Sequence, residues 1–179
     1  MEYEFVRAMY CLLLYRKSKF KAGYKLSKPL TNIGRHISND IVLTSKNASR
    51  YHACMLRTRT GEELRTQFQL IDGNSLSAPS RNGTFVNGKR ISQHYLNSKD
   101  IIHCGDKSEQ LLFLSIEPGQ FRKLIQNSAS RADQQKTITD QRSELAAPAH
   151  EEIQFSQLTT DDLIKLGAPE KFLDYIQNE

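Results

Sequence analysis

The chain has 179 residues, 38% apolar and 25% charged, with a formal charge of +5 and a mean hydropathy of −0.57. That length holds one domain with its own core plus appendages, and the composition places it in the ordinary water-soluble class. The charge is uneven: residues 1–149 carry 23 Lys/Arg and 13 Asp/Glu, whereas residues 150–179 carry two Lys and seven acids. A basic body suits anionic partners, whether phosphopeptides, nucleic acids or acidic membranes.

In chain order, the first apolar run is Ala8–Tyr15, flanked by Arg7 and Arg16. Eight residues are too few to span a bilayer, and Lys17, Lys19 and Lys21 stand where a small-residue cleavage site would follow a signal sequence. The run therefore reads as a buried first strand. Tyr24–Leu26, Leu30–Ile33, Ile41–Thr44, His52–Thr58, Gln67–Ile71, Thr84–Val86, Ile101–Cys104 and Leu111–Ile116 also read as strands. Phe68 and Leu70 alternate with Gln67 and Gln69, the two-residue period of a half-buried strand. Gly61-Glu62, Asp72-Gly73, Asn82-Gly83, Asn87-Gly88 and Gly105-Asp106 punctuate the runs, and Val86-Asn87-Gly88-Lys89 is the strongest hairpin signal. Many short strands without an intervening helical period predict an all-β sandwich or barrel.

After Pro118 the composition shifts. Residues 119–152 are rich in Gln, Ser, Arg, Ala and Asp and poor in large apolar residues, so they read as a flexible linker, with a short helix around Phe121–Ile125. Residues 153–179 read as an acidic helical tail. Thr159 stands three residues before Asp162 in a capping pattern, Gly167 fits a helix C-terminus, and Pro169 fits a first helical position. Leu163, Leu166, Phe172 and Ile176 need a surface to cover, either on the body or on another protein. The expected organisation is a body over 1–118, a linker over 119–152 and a tail over 153–179.

Cys11, Cys54 and Cys104 are far apart, odd in number and set in apolar runs, which predicts buried thiols in a reducing compartment and a cytoplasmic protein. His36, His94 and His103 share no ligand spacing with Cys or carboxylates, so no metal is expected. The chain contains no phosphate-cradling Gly-Lys-Ser/Thr sequence and no dinucleotide glycine fingerprint. His52 follows Ser49 by three residues, but no nucleophile elbow surrounds the serine. The expectation is a non-enzymatic protein without a cofactor.

Four short segments carry the functional signal: Gly34-Arg35, Ser49-Arg50-Tyr51-His52, Asn82-Gly83-Thr84 and Asn87-Gly88. Arg35 offers a permanently charged fork able to donate two parallel hydrogen bonds to phosphate oxygens. Ser49 offers a hydroxyl beside a second cation, Arg50. The Asn82 amide can both donate to and accept from an extended peptide backbone.

In this order and spacing the segments resemble the forkhead-associated (FHA) domain, a β-sandwich module that binds phosphothreonine peptides. The matching stretches run from Asn32 to Leu43, Ala48 to Ala53, Arg81 to Gly88 and Asp100 to Gly105, within about residues 8–117. Their style is similar to bacterial, cyanobacterial-type members. The resemblance implies an FHA sandwich of about eleven strands, with Arg35, Ser49, Arg50, Arg81 and Asn82 on the phosphopeptide and Gly34, His52, Gly83 and Gly88 supporting the loops. It gives His52 a structural role, pinning the binding loops through its imidazole.

Two features depart from the family pattern. Arg81 occupies a position commonly held by Ser or Thr, and the link from Asp72 to Asn82 is longer than usual, which leaves the loop course and any role for Ser80 open.

The function so implied is a phosphothreonine-peptide adaptor acting after a Ser/Thr kinase. The alternatives are a phosphorylation-independent scaffold or oligomerisation domain, and nucleic-acid binding through the basic body. The last is disfavoured by scattered cations and the absence of aromatic stacking motifs and of Trp. Partners expected besides a phosphothreonine protein are the chain's own linker, through Thr137 with Asp140 three residues on, and an oligomer partner at the tail helices.

Overall fold

The computed structural model describes residues 10–17, 20–60, 65–73, 78–123, 126, 152–153 and 160–173. Expectations placed on Ala8 and Met9, the Gly61-Glu62 turn, Thr137, Thr159 and Ile176 lie outside the described residues.

Twelve strands form two sheets. The first eleven are β1 (Tyr10–Lys17), β2 (Phe20–Lys25), β3 (Leu30–Gly34), β4 (Ile41–Val42), β5 (Ala53–Thr60), β6 (Arg65–Asp72), β7 (Thr84–Val86), β8 (Lys89–Ile91), β9 (Gln93–Tyr95), β10 (Ile101–Cys104) and β11 (Gln110–Ile116). A helical turn, α1, covers residues 118–123. It is followed by β12 (Glu152–Ile153), α2 (Thr160–Lys165) and α3 (Glu170–Leu173). One sheet has the order β12-β2-β1-β11-β10-β7-β8 and the other β4-β3-β5-β6-β9. β3 and β4 pair in parallel, and the other pairings are antiparallel.

The expected strands are present with shifted ends. Three more, β8, β9 and β12, were not read from the sequence. β8 and β9 are three residues each and mostly polar, too short and too exposed to show a period, and β12, which lies across the boundary drawn between linker and tail, has only two residues. The Asn87-Gly88 hairpin forms between β7 and β8 with φ of 51° and 81° at its two central residues, the positive pair that a two-residue turn of matching twist requires. The Asn87 side chain then clamps the turn to β10, donating to Asp100 Oδ1 at 2.8 Å and accepting the Ile101 N–H at 3.0 Å.

Between the sheets lies a core built from Leu13, Ile33, Ile41, Met55, Phe68, Leu70, Ile102, Leu111 and Phe113, among others. The three cysteines are buried, and burial pushes the Cys11 and Cys104 thiols up, away from the reactive thiolate.

β11 is covered on both faces, which its unbroken run Leu111 to Leu114 requires. Leu111 and Phe113 enter the sandwich core. Leu112, Leu114 and Ile116 face outward into a second cluster with Leu14, Ile101, Phe121, Leu163, Ala168 and Phe172.

The tail helices cover this outer face. α2 ends in a glycine cap: Gly167 has φ 74°, its N–H donates to the Ile164 carbonyl at 2.8 Å, and the Ala168 N–H donates to that of Leu163 at 2.9 Å. Pro169 then opens α3, accepting the Phe172 N–H at 2.8 Å. α1 begins at Pro118, with the Glu117 N–H held by Gln120 Oε1 at 3.1 Å, and stacks Phe121 on Tyr10 with 4.5 Å between ring centroids. It overlaps the short helix read around Phe121–Ile125, and one aromatic anchor docks it.

Phe172 is 2% exposed. Truncating it to Ala should cost about 3 kcal/mol, the usual scale for emptying an aromatic site, and should bare the outer face of β11. Denaturant unfolding of Phe172→Ala, with binding of a hydrophobic dye as a second readout, measures both effects.

Candidate binding site

The β3–β4, β4–β5 and β6–β7 loops are joined by main-chain hydrogen bonds. Beyond the end of β3, the Arg35 N–H donates to the Ser49 carbonyl at 3.0 Å and the His36 N–H to that of Arg50 at 3.1 Å. Gly34 permits this approach: a Cβ there would lie 2.3 Å from the Arg50 carbonyl oxygen. Asn39, buried in the β3–β4 loop, donates from Nδ2 to the carbonyls of His36 at 2.8 Å and Arg50 at 2.7 Å, locking the two loops side by side.

His52 is fully buried and connects the second loop to the third. Its Nδ1 accepts the Ser49 N–H at 2.8 Å and its Nε2 bonds the Gly83 carbonyl at 3.1 Å. These partners fix one neutral tautomer, with the proton on Nε2. Burial holds the His52 pKa below its ordinary value of 6.5, against the opposing pull of the Gly83 carbonyl and the Asp72 charge. Both ring nitrogens are committed to backbone groups, so the imidazole has no free position for proton transfer.

The long link after β6 is anchored by residues that the sequence left without a role. Ser80, 6% exposed, donates to Asp72 Oδ1 at 2.5 Å and accepts the Gly83 N–H at 2.9 Å. Thr84 Oγ1 donates to the same carboxylate oxygen at 2.6 Å. The Gly83 carbonyl also receives the Gly105 N–H at 3.0 Å, tying this loop to β10.

Arg35, Arg50, Arg81 and Asn82 are exposed, and Ser49 is half-buried. The Ser49 hydroxyl oxygen accepts the Arg81 N–H at 3.1 Å, so its own proton is directed elsewhere and is available to a ligand. Asn82 Nδ2 donates to the Asn47 carbonyl at 2.8 Å, which leaves its carbonyl oxygen and one amide proton facing outward. The carboxylates around these loops are engaged elsewhere. Asp40 pairs with Lys28 and the Asn32 N–H, Asp72 holds Ser80 and Thr84, Asp106 holds Asn47 and Ser108, and Glu109 holds Thr44. Among the described residues none forms an ion pair with Arg35, Arg50 or Arg81. Tyr51 packs tilted against His36 with 5.3 Å between centroids and reaches the Ser38 hydroxyl at 3.2 Å, closing one side of the surface.

The loops thus place Arg35, Ser49, Arg50, Arg81 and Asn82 around one exposed patch, with Gly34, His52 and Gly83 beneath or behind them. Gly88 belongs to the β7–β8 turn and contacts nothing within 4 Å of a virtual Cβ. Thr137, the expected internal ligand, is outside the described residues. Asn39 and Ser80 were missed: each is a polar loop residue whose buried role exists only once its partners converge on it, two carbonyls for Asn39 and the Asp72 carboxylate and Gly83 N–H for Ser80. Among the described residues no group of His, Cys, Asp and Glu could hold a metal ion, and no helix is long and apolar enough to cross a membrane.

Replacing His52 by Ala should cost about 2–3 kcal/mol through two lost buried hydrogen bonds. The imidazole also sets a pH dependence. Because the folded chain disfavours protonation at His52 and at His103, which burial and Lys107 hold down likewise, the unfolded chain binds more protons just below pH 6.5. Stability is therefore complete above that pH and falls as pH drops through the folded-state values. Denaturant midpoints across that range should show the decline, and His52→Gln should flatten it.

The same region is similar to known proteins. The FHA domain family model matches residues 31–105. An uncharacterized protein, sll1895, from Synechocystis is 28% identical over 167 residues, covering 91% of this chain and 23% of the relative. The oxoglutarate dehydrogenase inhibitor of Corynebacterium diphtheriae is 33% identical over 94 residues, 52% of this chain and 58% of that protein. The chain thus spans less than two thirds of either relative. Among solved structures, the Slr1951 protein from Synechocystis superposes with a TM-score of 0.53 at 24% identity, covering 58% of this chain and 96% of that one, a likeness of fold.

Proposed function

We propose that residues 31–105, which match the FHA domain model, bind phosphothreonine peptides at their loop end and that the protein is an adaptor acting downstream of a Ser/Thr kinase. The observation that carries this reading is the surface just described: two cations, Arg35 and Arg50, beside a hydroxyl with a free proton, and an outward-facing amide, all held by the joined loops and, among the described residues, left without a neutralising carboxylate. A phosphate ester brings nearly two negative charges and three strong acceptor oxygens. Arg35 meets two of those oxygens in parallel, Ser49 donates to a third contact, and Arg50 and Arg81 add positive potential at the rim. Asn82 pairs with the N–H and C=O of the peptide beside the phosphothreonine, which fixes its backbone without reading its side chains.

Each loop is held before any ligand arrives. A preformed site loses little ordering entropy on binding, so the charged contacts appear as affinity. His52 serves as a positioning residue in this scheme, too deeply buried to touch the peptide. The function is recognition rather than chemistry, since the histidine nearest the serine is committed at both nitrogens.

Isothermal titration of a phosphothreonine peptide tests the reading. Arg35→Ala should weaken binding by about 2–3 kcal/mol, roughly 30- to 150-fold, and the unphosphorylated peptide should not bind measurably. Equal affinity in wild type and Arg35→Ala would refute it.

A further inference from the structure

β5 and β6 lie in the middle of the five-stranded sheet, and residues of its strands alternate between its two faces. Ala53, Met55, Phe68 and Leu70 enter the core. The register gathers the other set into rows on the outer face. Leu30, Leu56, Gln69 and Tyr95 align across β3, β5, β6 and β9, and Asn32, Cys54, Ile71 and Gln93 form the next row. Thr58 and Gln67 make a third on β5 and β6. None of these ten residues is charged, in a chain where 25% of residues are. The first charge along the register is Arg65, opposite Thr60 at the end away from the binding loops.

No described helix covers this face. α1, α2 and α3 send Phe121, Leu163 and Phe172 to the other sheet, against Leu112 and Leu114. Leu30 at 36%, Val42 at 38% and Tyr95 at 49% are half of the six large apolar side chains that the described residues expose. Val42 extends the face at its β4 edge, paired with Gly34. Depletion of charge around a tyrosine is the composition of an interface core. The polar members cost little to bury, since Gln69 Nε2 already donates to Gln93 Oε1 at 3.3 Å and Thr58 Oγ1 to the Gln67 carbonyl at 3.3 Å.

We propose that this face joins two copies of the chain in a symmetric dimer, with the two-fold axis running along the strands between β5 and β6. Two observations select a second copy. The rows match themselves under that axis: Leu30 of each copy falls over Tyr95 of the other, Asn32 over Gln93, Cys54 over Ile71 and Thr58 over Gln67. Apolar positions meet apolar ones, and polar positions meet amides that both donate and accept. Leu56 over Gln69 is the one mixed pair. Charge gives the second reason. With 23 Lys/Arg against 13 Asp/Glu in residues 1–149, two copies repel over much of their surface and meet without repulsion at an uncharged face. Four strands about 4.8 Å apart and about 26 Å long present about 500 Å² per copy, and twice that is near the lower bound for a specific interface. The dimer is therefore weak and concentration-dependent. Because the axis follows the strands, both loop ends point to the same side.

Sedimentation velocity of the full chain tests this. Wild type should be monomeric when dilute and dimeric when concentrated, with a dissociation constant on the order of 100 µM. Leu30→Glu and Tyr95→Lys, both at exposed positions, should each weaken the dimer about tenfold and leave the unfolding midpoint unchanged. An equimolar mixture of the two variants should recover it, since one Leu30–Tyr95 contact then becomes an ion pair and the other stays native. About 0.5 M salt should leave the wild-type dimer intact, because no charge pair holds it. A chain still monomeric at about 1 mM would overturn the proposal and leave the face to a different protein. A dimer that salt dissolves would overturn it in favour of the acidic tail docking on a basic body. A dimer that both variants keep at wild-type strength would place the contact on another surface, and a mixture that fails to recover would refute the axis.

Discussion

A single buried imidazole holds the loop end of this sandwich together. His52 receives one loop at Nδ1, through the Ser49 N–H, and bonds another at Nε2, through the Gly83 carbonyl. Its own backbone continues the zipper, with its N–H on the Ile33 carbonyl at 2.9 Å and its carbonyl accepting the Gly73 N–H at 2.7 Å. Four bonds thus join four separate stretches of chain at one residue. Only a neutral imidazole can accept at one nitrogen and donate at the other, and burial enforces that state. A lysine or glutamine could keep one bond, but neither offers two opposed atoms on a rigid plane.

The hold extends to the far side of the molecule. The Gly83 carbonyl also takes the Gly105 N–H at the end of β10, and β10 pairs with β11. β11 is sandwiched between the core and the C-terminal helices, so its outer leucines stay dry only while Leu163, Ala168 and Phe172 cover them. About 25 cal/mol per Å² of apolar surface links the docking of these helices to the stability of the strand. Residues 31–105, which match the family, are therefore supported by a layer beyond them. β12 adds to the same support by pairing Glu152 and Ile153 with Tyr24 and Gly23 on β2.

What was legible in the sequence follows from how locally each feature is encoded. Turn residues and alternating runs are local, so the all-β class, the Asn87-Gly88 hairpin and the Gly167-Pro169 helix junction could all be read directly. The loop segments stood out for another reason: Gly34, Arg35, Ser49, His52 and Asn82 keep the order and spacing of the family they resemble. β8, β9 and β12 escaped because segments of two or three residues carry no periodicity. Asn39 and Ser80 escaped because the partners that bury them, Arg50 for Asn39 and Asp72 for Ser80, lie 11 and 8 residues away by routes that only folding creates. No propensity distinguishes a loop asparagine that bridges two carbonyls from one that faces water.

Electrostatics explains why the exposed cations stay exposed. A chain with +10 in its first 149 residues still has 13 carboxylates there, enough to neutralise a few guanidiniums by proximity alone. Asp40, Asp72, Asp106 and Glu109 lie close to the loops, yet each is held by hydroxyls, amides, backbone N–H groups or Lys28. Those bonds do two things at once. They stabilise the loops, since hydrogen bonds to ionised acceptors are stronger than neutral ones. They also withdraw the carboxylates from competition for arginine, because a carboxylate fixed by short, directional donors cannot swing outward to form a surface ion pair. The same interactions that order the loop end therefore keep its positive potential intact, so that rigidity and charge at this surface have a common origin.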